Sequence, residues 1–382
     1  MRRFVAASIY MMLILCTSVS AQETRPLNLP SELYFNTFSG SHEISKSLYR
    51  VQDSPTADPV LTTQKTIMDY VWTSDGNKIA LIINDNGATR AEIYSSAFEL
   101  ITQVEINLFK NDTYHYPVTW ADDGKHLATV SEKAADIPYI SIIPVDSLSN
   151  TVEQVISVPE AEDLSRIYWS PNAKYMLYQT LLRSDAVTRE SIPQPESHKL
   201  YLLDLETRKT KLVTNTSFNN CIAWSSDGDR FASVSNFHRD LDTFQLRATH
   251  LEIYDLNAKV ITEFDTNLTF DKAIGCPISW SNNGQNIAAL YSIYIEPSEF
   301  ESGIATIDLQ TQKIQPVGIP NPISYSILSM NWSPDDSWVA IETLYNAYGD
   351  IRLFPLDTGE EIILTVGDGV PMFNPKWRIT SE

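Results

Sequence analysis

The chain has 382 residues, 43% hydrophobic and 20% charged, which excludes a disordered protein and is enough for a large core. Its formal net charge of −20 sets it against phosphate backbones and anionic lipid. No cluster of Lys and Arg interleaved with aromatics offers a nucleic-acid surface, so no nucleic-acid partner is expected.

In chain order the first element is a targeting signal. Arg2 and Arg3 precede an apolar run from Phe4 to Cys16, and Val19-Ser20-Ala21 is a small-residue cleavage site. The expected organisation is a signal peptide over 1–21 and one folded domain over 22–382, in a secreted or periplasmic protein. The apolar run is shorter than the ~20 residues that span a bilayer, so no stable membrane insertion is expected after cleavage. An uncleaved anchor is one alternative. Lipid attachment at Cys16 is another, with bulky Leu15 where such a site needs a small residue.

Three strand-like segments follow, ELYFNTF, SLYRV and PVLTT. One unit then recurs: WTSDGNKIALI from Trp72, WADDGKHLATV from Trp120, WSPNAKYMLYQ from Trp169, WSSDGDRFASV from Trp224, WSNNGQNIAAL from Trp280 and WSPDDSWVAIE from Trp332. A truncated seventh copy ends at Trp377, and the spacing is 45 to 56 residues, the range of propeller and solenoid repeats.

Each unit has a mechanical reading. Alternation into the Trp, as in Ile222-Ala223-Trp224, makes a strand with the large ring on one face. Three positions on stands Asp75, Asp123, Asn172, Asp227, Asn283 or Asp335, usually followed by Gly. Such a side chain bonds its own turn backbone and Gly accepts positive φ, which predicts a tight hairpin. The next strand opens with an apolar residue and then a small one, as in Ile79-Ala80, Leu127-Ala128, Phe231-Ala232, Ile287-Ala288 and Val339-Ala340. The small residue leaves room for a neighbour. A third strand (LYLLDLET, LEIYDLNA, IATIDLQT) and a fourth (KLVTN, KVITEF, EIILTV) complete the unit.

The W-S-x-D-G unit followed by an apolar-Ala strand resembles the WD40-like repeat of TolB and of prolyl-oligopeptidase-type propellers, over nearly all of 22–382. The resemblance implies an all-β chain forming a single seven-bladed β-propeller of four-stranded blades. Its ring is closed by the N-terminal strands joining the C-terminal strand, Pro371 to Trp377, which leaves no open sheet edge. It implies little about activity, because propellers host many. TolB itself carries a separate N-terminal domain for which the stretch after Ala21 leaves little chain, so partners of TolB are not carried over.

No GxSxG, HExxH or GxxxxGK motif occurs. The turn aspartates, one per blade, are read as turn caps and not as a calcium site, and the Trp rings as core. No cofactor is expected. Long connections between second and third strands in consecutive blades (182–199, 236–249 and 296–302) mark one face as the expected binding surface. It carries Arg183, Arg189, Glu190, His238, Arg239, Asp240 and Asp242, with Tyr291, Tyr294, Tyr345 and Tyr348 nearby. Tyr and Arg are enriched in binding hot spots. The expected partner is a protein, peptide or glycan, bound without catalysis.

The alternative is a carbohydrate-active enzyme such as a metal-dependent oligouronate lyase, using histidines of that face. His42, His198, His238 and His250 lie in second-to-third-strand connections, whereas His115 precedes a first strand and His126 follows a turn at the opposite end. Cys221 and Cys276 have opposite parity relative to their Trp residues, as a bridge between adjacent blades requires; two free thiols are the other reading.

Overall fold

The computed structural model of the chain describes residues 27–39, 43–106, 118–121, 123–133, 137–145, 153–157, 162–182, 198–216, 222–235, 238–239, 246–271, 278–296, 299–317, 326–345, 348–364 and 372–379. Among these residues there are 29 strands and no α-helix. The expected signal peptide over 1–21 lies outside them.

The strands form seven four-stranded antiparallel blades. β1 (Leu33–Ser39), β2 (Glu43–Val51) and β3 (Asp58–Thr62) belong to the blade that closes the ring. Blade 1 is β4 (Thr66–Trp72), β5 (Lys78–Asp85), β6 (Ala88–Ser95) and β7 (Leu100–Glu105). Blade 2 is β8 (Val118–Trp120), β9 (His126–Lys133), β10 (Ile137–Pro144) and β11 (Glu153–Ser157). Blade 3 is β12 (Glu162–Trp169), β13 (Tyr175–Leu182), β14 (His198–Asp204) and β15 (Thr210–Thr216). Blade 4 is β16 (Ile222–Trp224), β17 (Arg230–Ser235), the short β18 (His238–Arg239), β19 (Leu246–Asp255) and β20 (Val260–Asp271). Blade 5 is β21 (Ile278–Trp280), β22 (Asn286–Glu296), β23 (Glu299–Asp308) and β24 (Ile314–Val317). Blade 6 is β25 (Ser326–Trp332), β26 (Trp338–Tyr345), β27 (Tyr348–Pro355) and β28 (Ile362–Ile363). β29 (Met372–Trp377) pairs with β1, Trp377 opposite Leu33, and completes blade 7 in the order β29-β1-β2-β3. The expected closure is present.

The repeat unit acts as its composition requires. In blade 1 the Thr73 hydroxyl donates to Asp75 Oδ1 at 2.6 Å, and the same oxygen accepts the Asn77 backbone N–H at 3.0 Å. The residue after the capping Asp or Asn takes positive φ in all six complete units: Gly76, Gly124, Gly228 and Gly284, but also Ala173 and Asp336, both at 60°. Blades 3 and 6 therefore hold a side chain in a conformation that suits glycine.

The small residue of the second strand fills its expected role. Ala80, Ala128, Ala232, Ala288 and Ala340 are fully buried. Each shares an apolar cluster with the Trp of the following blade, namely Trp120, Trp169, Trp280, Trp332 and Trp377. Between blades 7 and 1, Tyr34 meets Trp72 instead, ring centroids 4.9 Å apart. Among the described residues each seam thus has its own apolar core, seven clusters set around the ring.

Blades 4 and 5 depart from the simple pattern. Beyond the short β21, the inner edge of β22 is taken by β20 of the preceding blade, through the pair Thr269 and Ser292. The two blades become one nine-stranded sheet. The stretch 296–302 is expected as a long connection, but its described residues, 296 and 299–302, extend the β22–β23 hairpin, with Glu296 opposite Glu299. An edge that could be paired was paired, satisfying backbone groups a loop would leave to solvent.

Candidate functional site

The first strands of neighbouring blades touch one another, β4 with β8, β8 with β12, β16 with β21, β21 with β25, β25 with β29 and β29 with β4, so they form the hub. Their Trp residues link the blades. The indole nitrogen of Trp120 donates to Val71 O at 2.9 Å, Trp224 to Tyr168 O at 3.0 Å, Trp332 to Ser279 O at 2.9 Å and Trp377 to Asn331 O at 3.3 Å. In every case the acceptor is the residue before the Trp of the preceding blade. The indole nitrogens of Trp72, Trp169 and Trp280 are buried without an acceptor. Over two of those rings lies an arginine of the preceding blade, Arg378 5.1 Å above Trp72 and Arg230 5.5 Å above Trp280.

The closing strand is held by polar groups on both sides. Asn374 Nδ2 and Lys376 Nζ donate to Asp69 Oδ1 in blade 1, at 2.6 and 3.2 Å. On the other flank Asn331 Nδ2 donates to Pro375 O at 2.9 Å, and Glu342 Oε2 accepts the Asn374 backbone N–H at 3.1 Å. The Tyr70 hydroxyl reaches Tyr34 O and Asn374 O, each at 2.6 Å. Burial, with the charges of Asp69 and Glu342, pushes the Tyr70 phenol well above its ordinary value, so it stays a neutral donor. At the strand's end Arg378 bonds Glu32, whose carboxyl sits below its ordinary value. Burial raises Glu32, but hydrogen bonds from Tyr34 and Arg378 outweigh it. Burial and then Glu32 push the Tyr34 phenol up to about 12.

At the end of the hub where first strands turn into second strands lies a cavity of 290 Å³. Its walls come from four consecutive blades, with Trp280 and Asn282 of blade 5, Asn331 and Trp332 of blade 6, Trp377 of blade 7 and Trp72 of blade 1. Sequence reasoning assigned the Trp residues to the core, and they are largely buried. It had no signal for the cavity, which arises from how four hub strands are set around one space.

The binding face expected from loop length lies at the other end of the blades. Arg183, Arg189, Glu190, Asp240 and Asp242 fall outside the described residues, as do His42, His115, Cys221 and Cys276. His238 and Arg239 form β18, opposite Arg247 and Leu246 of β19. Tyr291 and Tyr294 stand on β22 opposite Gly303 and Phe300, and Tyr345 pairs with Tyr348 where β26 turns into β27. These positions occupy one end of blades 4, 5 and 6.

The described histidines lie on strands rather than in loops. His198 opens β14, and His250 lies within β19 with Nε2 3.4 Å from Glu263 Oε1. His126 is at the turn end, Nδ1 2.6 Å from Asp123 Oδ2. Among the described residues no three His, Cys, Asp or Glu side chains are grouped to hold a metal.

No protein family matches the sequence, and no curated protein is similar to it. Solved structures are similar in fold. TolB from Acinetobacter baumannii is 17% identical, with 92% of this chain and 67% of that one covered and a TM-score of 0.49. An oligogalacturonate lyase in complex with manganese is 12% identical, covering 90% and 87%, with a TM-score of 0.58. A prolyl endopeptidase is 12% identical with a TM-score of 0.56, and 91% of this chain covers 49% of that one, about half its length. At such identities the likeness extends to architecture alone: the chain is a seven-bladed β-propeller.

Proposed function

We propose that the chain is an exported, non-catalytic propeller that binds a protein, peptide or glycan on the face carrying the long second-to-third-strand connections of blades 3 and 4. The supporting observation is the nine-stranded sheet that joins blades 4 and 5. It carries His238, Arg239, Tyr291 and Tyr294 on paired backbone rather than on separate loops. Positions on paired strands lose less freedom on binding than positions on loops, which favours recognition.

The second reading is a metal-dependent enzyme acting on acidic oligosaccharides, favoured by the likeness to the manganese-bound oligogalacturonate lyase. Elemental analysis of the purified protein beside a His238→Ala variant, with an oligogalacturonate turnover assay, separates the two. Protein without stoichiometric transition metal and without turnover, but binding a glycan or peptide more weakly after Arg239→Ala or Tyr345→Ala, supports the binding reading. Stoichiometric metal and turnover, both lost in His238→Ala, would replace it with the enzyme.

A further inference from the structure

The cavity at the turn end of the hub lies opposite the face discussed above and has a chemistry of its own. Its two amide side chains are committed through nitrogen. Asn282 Nδ2 donates to Ser333 O at 2.8 Å and to Asp336 Oδ1 at 2.9 Å, and Asn331 Nδ2 donates to Pro375 O at 2.9 Å. What remains on Asn282 is the carbonyl oxygen, an acceptor, and on Asn331 the carbonyl oxygen and one N–H. The Asp336 carboxylate stands directly behind Asn282, also accepting its backbone N–H at 2.7 Å. Among the described residues of the wall the one cation, Lys376, directs its ammonium to Asp69 Oδ1 and Tyr70 O.

Two of the four indoles in the wall already carry a cation of the protein itself, which leaves Trp332 and Trp377 without one among the described residues. The guanidinium groups of Arg378 and Arg230 lie 5.1 and 5.5 Å over the rings of Trp72 and Trp280, two of the four indoles that line the cavity. Electron-rich indole faces attract guanidinium and ammonium groups, and more strongly where water is partly excluded. A chain of net charge −20 adds a favourable long-range field for any cation. A carboxylate ligand would be opposed by that same field. A neutral ligand would gain nothing from the field.

We propose that this cavity is a binding site for an organic cation, a guanidinium or primary ammonium group, held by the Asn282 and Asn331 carbonyl oxygens against the indole wall. Its volume of 290 Å³ is near the lower end of small-ligand sites, roughly 300 Å³, and suits a single such group with its alkyl stem. The group can be a free small amine or a Lys or Arg side chain of a peptide.

Titration of the full chain with agmatine, with a short Arg-containing peptide capped at both ends, and with the neutral analogue propionamide tests this. The readouts are tryptophan emission and calorimetry. The expected result is saturable binding of agmatine, the peptide or both, weakened by salt, with no response to propionamide. Tighter binding of the peptide identifies a side chain as the source, and tighter binding of agmatine a free amine. Ser279→Phe, which fills the cavity from its wall, and Asn282→Leu should each weaken binding by about tenfold or more, a loss of ~1.4 kcal/mol. Thermal melts confirm that the variants fold; if one does not, the other carries the comparison. Equal response to propionamide, no saturable response to either cation, or binding unchanged in both folded variants would overturn the proposal.

Discussion

Asn374 and Asp69 stand 305 positions apart in the sequence and are joined by a hydrogen bond of 2.6 Å. The bond ties the last strand of the chain to the first blade, and the same aspartate holds Lys376. Ring closure therefore rests on polar contacts as well as on the β29–β1 ladder. Asp69→Ala removes the acceptor for both donors in a buried setting and should destabilise the protein by about 3 kcal/mol. Asp69→Asn, which keeps one oxygen, should cost less. Urea denaturation of the two variants measures the difference.

The Trp residues divide into bonded and unbonded indoles, and substitution by Phe should reveal the division. Trp120→Phe loses both ring volume and the bond to Val71 O, whereas Trp169→Phe loses ring volume alone. The first should therefore cost about 1 kcal/mol more than the second in chemical denaturation. Equal costs would mean that the seam bonds add nothing to stability.

The turn carboxylates set an acid limit. Asp75, Asp123, Asp227 and Asp335 sit below their ordinary value of 3.8. Burial raises each, but bonds such as those from Thr73 to Asp75 and from Ser225 to Asp227 outweigh it. A group depressed in the folded state contributes stability above its unfolded value, and that stability is lost as pH falls through the folded value. Stability should hold above roughly pH 4 and decline below it. In blades 3 and 5 the same place is taken by Asn172 and Asn283, whose Oδ1 accepts the Ser170 and Ser281 hydroxyls at 2.8 Å. Replacing all four aspartates by Asn should leave the turns intact and make the acid decline shallower, as pH-dependent melting will show.

Two glycines of similar backbone should respond differently to Ala. Gly76 has φ of 66° and a Cβ there would collide with the carbonyl oxygen of Ile379, so the segment after β29 can cross this turn only over a glycine. Gly87, with φ of 94°, has open space at the same position. Gly87→Ala should cost about 1 kcal/mol from conformation alone. Gly76→Ala should cost clearly more and lower the melting temperature further.

Much of the fold was legible because a propeller repeats its instructions. The Trp, the capping Asp or Asn and the small residue of the second strand recur in register, and each has a local cause that a sequence displays. The left-handed residue after the cap was legible at Gly76, Gly124, Gly228 and Gly284. It was hidden at Ala173 and Asp336, where the hairpin's own bonds, from the backbone N–H to Ser170 O and to Ser333 O, accompany the same conformation without a glycine. The second-to-third-strand connection of blade 5 reads as a loop in the sequence because its residues carry no period that tells a hairpin from a connection. Pairing of β20 with β22 across two blades is not a property of either segment alone.

Alone, the sequence determined the seven repeats, the four-stranded unit, the Ala-against-Trp packing and the joining of the N-terminal strands to the C-terminal one. These follow from side-chain volume, turn chemistry and alternation, which act over a few residues and repeat. Only the tertiary structure decided which indoles find an acceptor, that Asp69 and Glu342 flank the closing strand, and that four hub strands border an open cavity lined by Trp280, Asn282 and Asn331. Those features depend on distances between blades, which are set by the summed geometry of a closed ring and are written in no single repeat.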